Sequence, residues 1–426
     1  MTHHLSIWIT FADGARIRCG EVIYGEPDDR GRTPSEFRYS PEYLAHPARY
    51  PIDPESLPLG TGVTNNGLMV FEDSLPDDWG RKLLIRRACL PRGKQDVPNL
   101  LKAIGAGAMG ALSYSDGWAK TPPGEHEQYG AIDLPVLMDT AERLENGEDI
   151  QDSDLIALLN AGSSPGGARP KALVFDQGRH WIAKFPSTKD YLHVPRIEAA
   201  TLALAKNAGL SVPEHRLVAV GSKDALLVER FDVTQAGGRR HMISMKTMLR
   251  AVNWYQASYA DIADMIRKHS SAPETDLPAI YRHMTFNALI GNTDDHLKNF
   301  AMICDESMGY RLSPSFDLLP DINGNREHVL RFGLESRFPG VQSMIDIGRR
   351  FGVARTAKPM VQEVLDTVSG WREVFEEHGV PGRDIDVLAQ DIDRRCGCPT
   401  ASPQENRGSR SVARPGRTRS SPERSR

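Results

Sequence analysis

The pattern of apolar residues changes once along this 426-residue chain, at about Phe231. Before that point, short runs of apolar and β-branched residues alternate with Gly, Pro and Asp, which is typical of strands and their turns. After it, longer runs with helical spacing predict helices over 244–290 and 344–395. A strand-rich half followed by a helical half predicts an α+β fold with two lobes.

Local signals predict the individual elements. Asp13-Gly14 between two apolar runs predicts a β-hairpin, and residues 79–89 predict a short helix that Asp78 would cap. The other predicted helices are 134–144, 154–159 and 195–208, and the predicted strands are 5–11, 15–24, 171–175, 180–185, 216–220, 225–231, 299–303 and 310–312.

Composition excludes some classes of protein. Hydrophobic residues make up 40% of the chain and charged residues 25%, the balance of an ordinary globular protein. The formal net charge of -4 excludes a histone-like polycation. Positive charge is concentrated in residues 401–426, which hold seven Arg and two acidic residues. We predict that residues 396–426 form a disordered tail rich in Arg, Ser and Pro.

Cysteine content and the N-terminal residues both bear on location. The five cysteines are odd in number and scattered, so we expect no disulfide framework and a reducing compartment. The first residues show no cationic start followed by an apolar run, so we expect no signal peptide. The longest apolar stretches are far shorter than a membrane span. The sequence therefore predicts a cytoplasmic protein that makes no membrane contact.

A polar stretch, residues 292–300, lies directly between two apolar segments. Within it, four residues separate Asp294 from Asn299, and a further carboxylate, Asp317, follows eighteen residues after Asn299. Phosphoryl transfer needs a carboxylate to accept the proton of the attacking hydroxyl and oxygen ligands for magnesium, and this pattern supplies both. The alternatives are a merely polar loop and a zinc or dinuclear hydrolase that uses the same Asp and His side chains.

A glycine-rich stretch precedes the predicted hairpin 171–185. Gly166 and Gly167 let a backbone approach an anion closely, but a Walker A motif would need Gly-Lys-Ser/Thr at this point. Lys184 on the following strand is a candidate phosphate ligand, and Glu198 on the next helix is its candidate partner. Each feature has a simpler alternative. The glycines could form an ordinary turn, Lys184 could face solvent, and Glu198 could be an exposed residue of its helix.

Together these motifs resemble the HipA family of toxin serine/threonine kinases. The matching stretches are 163–172, 182–186, 229–232, 291–300 and 315–320, and residues 71–80 with 110–112 resemble the family's N-terminal subdomain. The resemblance runs from about residue 5 to 395. It implies a two-lobed protein-kinase-like fold with a β-rich N-lobe, an N-terminal β subdomain and a mostly helical C-lobe.

The chain is predicted to divide into four segments. The resemblance implies a β-rich N-terminal subdomain (1–120), a kinase N-lobe with the phosphate loop (121–240) and a helical C-lobe with the catalytic and metal loops (241–395). The tail (396–426) is predicted from its composition, and the part after Cys398 has no counterpart in the family.

Each motif residue acquires an implied role from the resemblance. Asp294 would be the catalytic base, and Asn299 and Asp317 would hold Mg²⁺. Ser164 would be autophosphorylated, with Ser163 as its neighbouring competitor. The residues implied to bind ATP are Ser164, Gly166, Gly167, Ala168, Lys171, Lys184, Glu229, Arg230, Phe231, His296 and Lys298.

Partners are implied in the same way. The substrate would be a serine of a cellular protein, for which the family precedent is an aminoacyl-tRNA synthetase. A separate helix-turn-helix antitoxin would bind the chain and carry it to operator DNA. The alternative functions are a kinase-fold corepressor that acts with such an antitoxin, and a kinase for small molecules or lipids.

Overall fold

The computed structural model describes most of the chain. The described residues are 2–26, 33–65, 68–124, 130, 133–148, 150, 154, 158, 169–251, 257–333 and 337–397. Most of the predicted helix 154–159, most of the glycine-rich stretch and nearly all of the predicted tail therefore lie outside the described residues.

The described strands form three antiparallel sheets. Their bounds are β1 His3–Thr10, β2 Arg16–Tyr24, β3 Ser35–Tyr39, β4 Thr64–Asn65, β5 Leu112–Asp116, β6 Lys171–Asp176, β7 Arg179–Lys184, β8 His215–Val220, β9 Lys223–Glu229, β10 His241–Ser244, β11 Ala301–Asp305 and β12 Gly309–Leu312.

Helices dominate the second half of the described chain. The α-helices are α1 Pro41–Ala45, α2 Met69–Glu72, α3 Asp78–Arg87, α4 Val97–Ile104, α5 Leu134–Glu145, α6 Val194–Asn207, α7 Met245–Met248, α8 Tyr259–His269, α9 Pro273–Ile290, α10 Val341–Ile347, α11 Ala357–Ser369, α12 Trp371–Glu377 and α13 Gly382–Cys396. Short 3₁₀ turns span Arg92–Lys94, Leu297–Asn299 and Gly348–Phe351. Among the described helices, none is long and apolar enough to cross a lipid bilayer.

The first sheet, in the order β4-β3-β2-β1-β5, builds what we call the N-terminal unit, which comprises β1–β5 and α1–α4. The predicted hairpin is confirmed, since β1 pairs with β2 and Gly14 takes the left-handed backbone conformation, with φ of 89°. Leu5, Ile7 and Ile9 are buried on the inner face of β1. This face joins the larger hydrophobic core, which continues through the helices of the second half.

A second sheet, β6-β7-β9-β8, is the frame of the smaller lobe. Its inner face includes Ala172, Val174, Trp181 and Ala183, which pack in a separate small core against α5. The strand predictions for this region are confirmed to within a few residues. The sheet ends at Lys184 on β7, on the side that faces the helical lobe.

The third sheet, β10-β11-β12, lies in the helical lobe beside the polar loop 292–300. Helix α9 ends at Gly291, whose φ of 76° reverses the chain as a glycine at a helix end commonly does. The chain then crosses the loop and enters β11, so helix and sheet fix both ends of the loop.

Three local predictions need correction. Asp77, not Asp78, is the N-cap of α3, because Asp77 is extended and Asp78 already forms the first helical turn. The strand predicted from 299 begins at Ala301, since Asn299 closes a 3₁₀ turn. Strand β10 was not predicted, because four residues are too few to show a period. Its last residue, Ser244, falls where a helix was predicted to begin.

Candidate active site

Lys184 lies at the centre of a cluster of charged side chains between the two lobes. Its Nζ donates to Glu198 Oε1 at 2.5 Å and to Asp317 Oδ1 at 2.7 Å. Glu198 comes from α6, packed beneath the sheet, and Asp317 comes from the segment after β12. One ammonium group therefore joins the smaller lobe to the helical lobe.

Burial and mutual attraction set the charges in this cluster. Burial disfavours the charged form of Lys184, but Asp317 and Glu198 outweigh that effect and raise its pKa. The positive charge of Lys184 holds the pKa of Asp317 well below its usual range. Burial raises the pKa of Glu198. The cluster therefore presents an ionised Asp317 beside a fully charged lysine.

A second lysine, Lys171, lies directly opposite Lys184 on the neighbouring strand β6. It is buried, and burial together with the repulsion of Lys184 lowers its pKa to about 8. Two lysines on adjacent strands therefore lie side by side in the lining of the cleft, where both can donate hydrogen bonds to the oxygens of an anionic ligand.

Asp317 is held in a strained backbone conformation. Its φ of 57° lies in the left-handed region that a side chain other than glycine rarely adopts. The preceding residues fix this geometry, because Ser315 N donates to Ser211 O at 2.7 Å and Ser315 Oγ bonds His283 Nδ1 at 3.1 Å. Such strain is typical of positions where a side chain is aimed for function.

The polar loop presents Asp294 at its front, toward the cleft. The Asp294 side chain is 81% exposed, and its backbone oxygen accepts from Asn299 Nδ2 at 2.9 Å. His296 Nε2 lies 3.9 Å from Asp294 Oδ1, which is too long for a hydrogen bond. Surrounding protein displaces part of the water around Asp294, and this raises its pKa, with a further contribution from the charge of Asp317.

Asp295 lies at the back of the same loop and is completely buried. Its carboxylate accepts from Tyr259 Oη at 2.7 Å, His328 Nδ1 at 3.0 Å, Val329 N at 2.8 Å and Leu330 N at 3.3 Å. Sequence reasoning missed this role, because two adjacent aspartates in a polar stretch give no sign of which one faces inward.

The network behind the loop reaches the last helix. Arg395 Nη1 lies 3.1 Å from His328 Nε2 and donates to Ala288 O at 3.0 Å. Arginine can only donate, so His328 Nε2 accepts and Nδ1 carries the proton given to Asp295. Helices α8, α9 and α13 are thereby tied to the position of the polar loop.

An apolar cleft of about 940 Å³, a value that includes space open to solvent, extends from the charged cluster. Its apolar lining includes Ile182, Val228, Phe231 and Phe316, and the centroids of the last two rings lie 5.6 Å apart with their planes inclined at 37°. A flat apolar ring with charged groups attached would match a cleft that is apolar at one end and cationic at the other.

Comparison with known proteins agrees with this geometry. The family model for the HipA N-terminal domain matches residues 16–115, and the model for the HipA-like C-terminal domain matches residues 163–371. The chain belongs to the HipA family. Both halves of the family's architecture are therefore present in one chain.

Several relatives of the chain carry kinase names. The serine/threonine-protein kinase toxin HipA of Shewanella oneidensis is 26% identical over 327 residues, which is 68% of this chain and 71% of that protein. A putative kinase of Haemophilus influenzae is 27% identical over 278 residues, 55% of this chain and 81% of the relative. The putative kinase Y4dM of Sinorhizobium fredii is 28% identical over 218 residues, 47% of this chain and about half (52%) of the relative's length.

A solved structure shares the fold. It is the HipA chain in the complex of Shewanella oneidensis HipA, HipB and operator DNA, with a TM-score of 0.67 and 19% identity. The match covers 91% of this chain and 96% of that chain. The predicted family and the predicted two-lobed α+β fold are confirmed, and the predicted enzyme class, a kinase, agrees with the names of the relatives.

The structure brings together most of the residues that the HipA motifs predicted. One cleft is lined by Lys171, Lys184, Glu229, Arg230, Phe231, Lys298, Asn299 and Asp317. Asp294 lines an adjoining cavity that shares Lys171, Lys184, Glu198 and Asp317 with this cleft. Ser163, Ser164, Gly166, Gly167 and Ala168 lie outside the described residues.

Two predicted ligands have side chains that already pair with a carboxylate. The Arg230 guanidinium is buried and donates to both carboxylate oxygens of Asp232, at 3.0 and 2.6 Å. Asp232 also accepts from Gly110 N at 2.8 Å. Lys298 pairs with Asp77. Sequence reasoning missed the contribution of the N-terminal unit, which adds Asp73, Leu75, Asp77 and Met109 to the cleft lining.

Proposed function

We propose that this protein transfers the γ-phosphoryl group of ATP to a serine hydroxyl of a protein. The observation that carries the proposal is the placement of Lys184 between Glu198 and Asp317, in a cleft also lined by Asn299 and next to Asp294. A strand lysine oriented by a helical glutamate, opposite a base and an aspartate, is the working arrangement of protein kinases.

The residues present fit a magnesium ion. Asn299 and Asp317 offer oxygen atoms to the same cleft, and oxygen is the ligand atom that Mg²⁺ prefers. Lys184 keeps Asp317 ionised, so the site carries the negative charge a divalent cation needs. When bound, the ion would offset part of the negative charge of the phosphates.

The side chains of this chain would divide the work as follows. The apolar walls around Phe231 take the adenine, and Lys184 with Lys171 binds phosphate oxygens at the cationic end. Asp294, exposed at the front of its loop, accepts the proton of the attacking serine. Its raised pKa makes it a better proton acceptor than an ordinary aspartate.

Partners and regulation extend the same proposal. The substrate would be a protein serine, with an aminoacyl-tRNA synthetase as the first one to test, and Ser164 or the adjacent Ser163 would be autophosphorylated. The fold shared with the HipA chain of a complex with HipB and operator DNA supports a separate helix-turn-helix antitoxin as partner. We also propose a cytoplasmic location and the four segments 1–120, 121–240, 241–395 and 396–426.

Radiolabelled ATP tests the activity. Purified protein incubated with γ-labelled ATP and Mg²⁺ should incorporate label, and mass spectrometry should place it on Ser163 or Ser164. The Asp294→Asn variant should incorporate label far more slowly, by roughly a hundredfold or more. Label that persists unchanged in that variant would exclude Asp294 as the base.

Phosphoproteomics after induced expression would identify the cellular target. Serines that gain phosphate with the wild type and not with Asp294→Asn are the direct or downstream substrates. ATP binding without any phosphoryl transfer would instead favour a corepressor that uses the kinase fold for binding. Phosphoryl transfer only to a small molecule or lipid would instead favour a kinase for such substrates.

A further inference from the structure

Helix α3 belongs in sequence to the N-terminal unit but packs between the two lobes. Trp79 and Leu83 are buried in the small core beneath the four-stranded sheet. Leu84, the next residue around the helix, is buried in the larger core. The helix therefore contacts both hydrophobic cores, and its first end points to the cleft between them.

Asp77, at that end, forms a short ion pair with Lys298 of the polar loop. The Lys298 and Asp77 side chains are 24% and 26% exposed, so both are largely withdrawn from water, where charge attraction is stronger than on the surface. Lys298 lies between the candidate base Asp294 and the candidate metal ligand Asn299 in sequence. Both members of the pair line the same cleft.

The segment that carries Asp77 is itself held in place. Asp73 accepts from Ser244 N at 2.8 Å and from Ser244 Oγ at 2.7 Å, which fixes the segment to the helical lobe. Ser74 Oγ bonds Tyr114 Oη at 2.6 Å, which fixes it to the N-terminal sheet. Asp77 is thus presented to Lys298 from a rigid support.

Helix capping does not account for Asp77. The residue occupies the N-cap position of α3, yet within the described residues its side chain makes no capping hydrogen bond. Its carboxylate instead points to a lysine whose four-carbon stem would otherwise adopt many rotamers. An ammonium group has three donors, so one bond to Asp77 leaves two for a ligand.

We propose that Asp77 is a positioning residue for phosphoryl transfer, which orients Lys298 toward the nucleotide phosphates. This inference rests on the proposed kinase function and deepens it, because it makes the N-terminal unit part of the active site. The benefit is preorganisation: Lys298 is already in place when the nucleotide arrives.

The test compares Asp77→Asn with Asp78→Asn, a matched control. Asp78 is the next acid along the chain, exposed, on the same helix end, and does not line the cleft. We expect Asp77→Asn to lower kcat/KM for ATP by roughly tenfold, the size expected for loss of one charge-assisted hydrogen bond. Asp78→Asn should leave kcat/KM unchanged, and the unfolding midpoints of both should match the wild type.

A double-mutant cycle separates positioning from a structural role. In a Lys298→Gln background, Asp77→Asn should cause no further loss, because the group it orients is gone. Asp77→Glu, which keeps the charge, should retain most of the activity and serves as the second variant if Asp77→Asn is unstable. Equal kinetics for Asp77→Asn and Asp78→Asn, or a full additional loss in the Lys298→Gln background, would overturn the proposal.

A measurement of ATP affinity tests the role of Asp77 even if the protein proves not to be a kinase. Calorimetric titration of ATP should show weaker binding to Asp77→Asn than to Asp78→Asn, by about threefold or more. If the wild type transfers no phosphate, the proposed function fails, and the affinities alone decide the role of Asp77. Equal affinities in that case would exclude the positioning role.

Discussion

The front and back faces of the polar loop 292–300 place two neighbouring aspartates in opposite environments. Asp294 at the front is 81% exposed and faces the cleft. Asp295 at the back is fully buried and accepts hydrogen bonds from two side chains and two backbone N–H groups. The Asp294 carboxylate is available to react, whereas both oxygens of Asp295 already accept hydrogen bonds.

This difference shows how the fold separates chemistry from support. A carboxylate that must accept a proton needs free lone pairs and access to substrate. A carboxylate that anchors a loop needs its full set of donors, since a buried charge without them is strongly destabilising. Substitutions on the front face should therefore change rates, and substitutions on the back face should change stability.

The largest effect is expected from Asp317→Asn, in the cleft that the front face of the loop adjoins. The change removes the charge that pairs with Lys184 and replaces a charged magnesium ligand with a neutral one. We expect phosphoryl transfer to fall by roughly a thousandfold. Steady-state kinetics with saturating ATP and Mg²⁺ measure it. Asp366→Asn, an exposed change on α11, is the control and should keep wild-type rates. A fall in the transfer rate of less than tenfold would show that the Asp317 charge is not needed for the reaction.

The back face should respond to Asp295→Asn with lost stability. The amide keeps the shape but loses the charge, and its NH₂ group cannot accept the hydrogen bonds now made by one carboxylate oxygen. We expect the free energy of unfolding to fall by about 2–4 kcal/mol. Denaturant unfolding followed by circular dichroism measures it. An unchanged midpoint would show that the back face does not anchor the loop.

The smallest effect concerns pH and Lys171. With a pKa of about 8, its amine is charged below that pH and neutral above it. The affinity for ATP should therefore fall by about three- to tenfold as the pH rises from 7 to 9. Lys171→Arg stays charged throughout and should lose this dependence. Calorimetric titration at pH 7, 8 and 9 compares the two, and parallel profiles would contradict the assignment to Lys171.

Sequence reasoning predicted the parts of the site that are close together along the chain. Asp294 and Asn299 lie on one loop, and Asp317 follows after one hairpin, so spacing alone brought them into a common hypothesis. The strand pattern made Lys184 a candidate phosphate ligand, and the motif resemblance then implied that it contacts ATP. The same local reasoning located the first hairpin, because the turn residues and the flanking strands are adjacent.

Contacts between distant segments were beyond the reach of that reasoning. Lys298 and Asp77 are separated by 221 positions, and no local pattern marks their approach. Asp295 was missed because its burial depends on His328 and on the last helix, which fold over the loop from much later in the chain. Such roles follow from packing of the whole molecule rather than from any short motif.

The most direct test of the proposed kinase activity is the rate of phosphoryl transfer by Asp294→Asn in a preparation shown to be folded. We expect a loss of roughly a hundredfold or more, with an unfolding midpoint within about 2 °C of the wild type, because the exposed Asp294 side chain adds little to stability. A folded variant that transfers phosphate at a rate within a few-fold of the wild type would show that Asp294 is not the catalytic base.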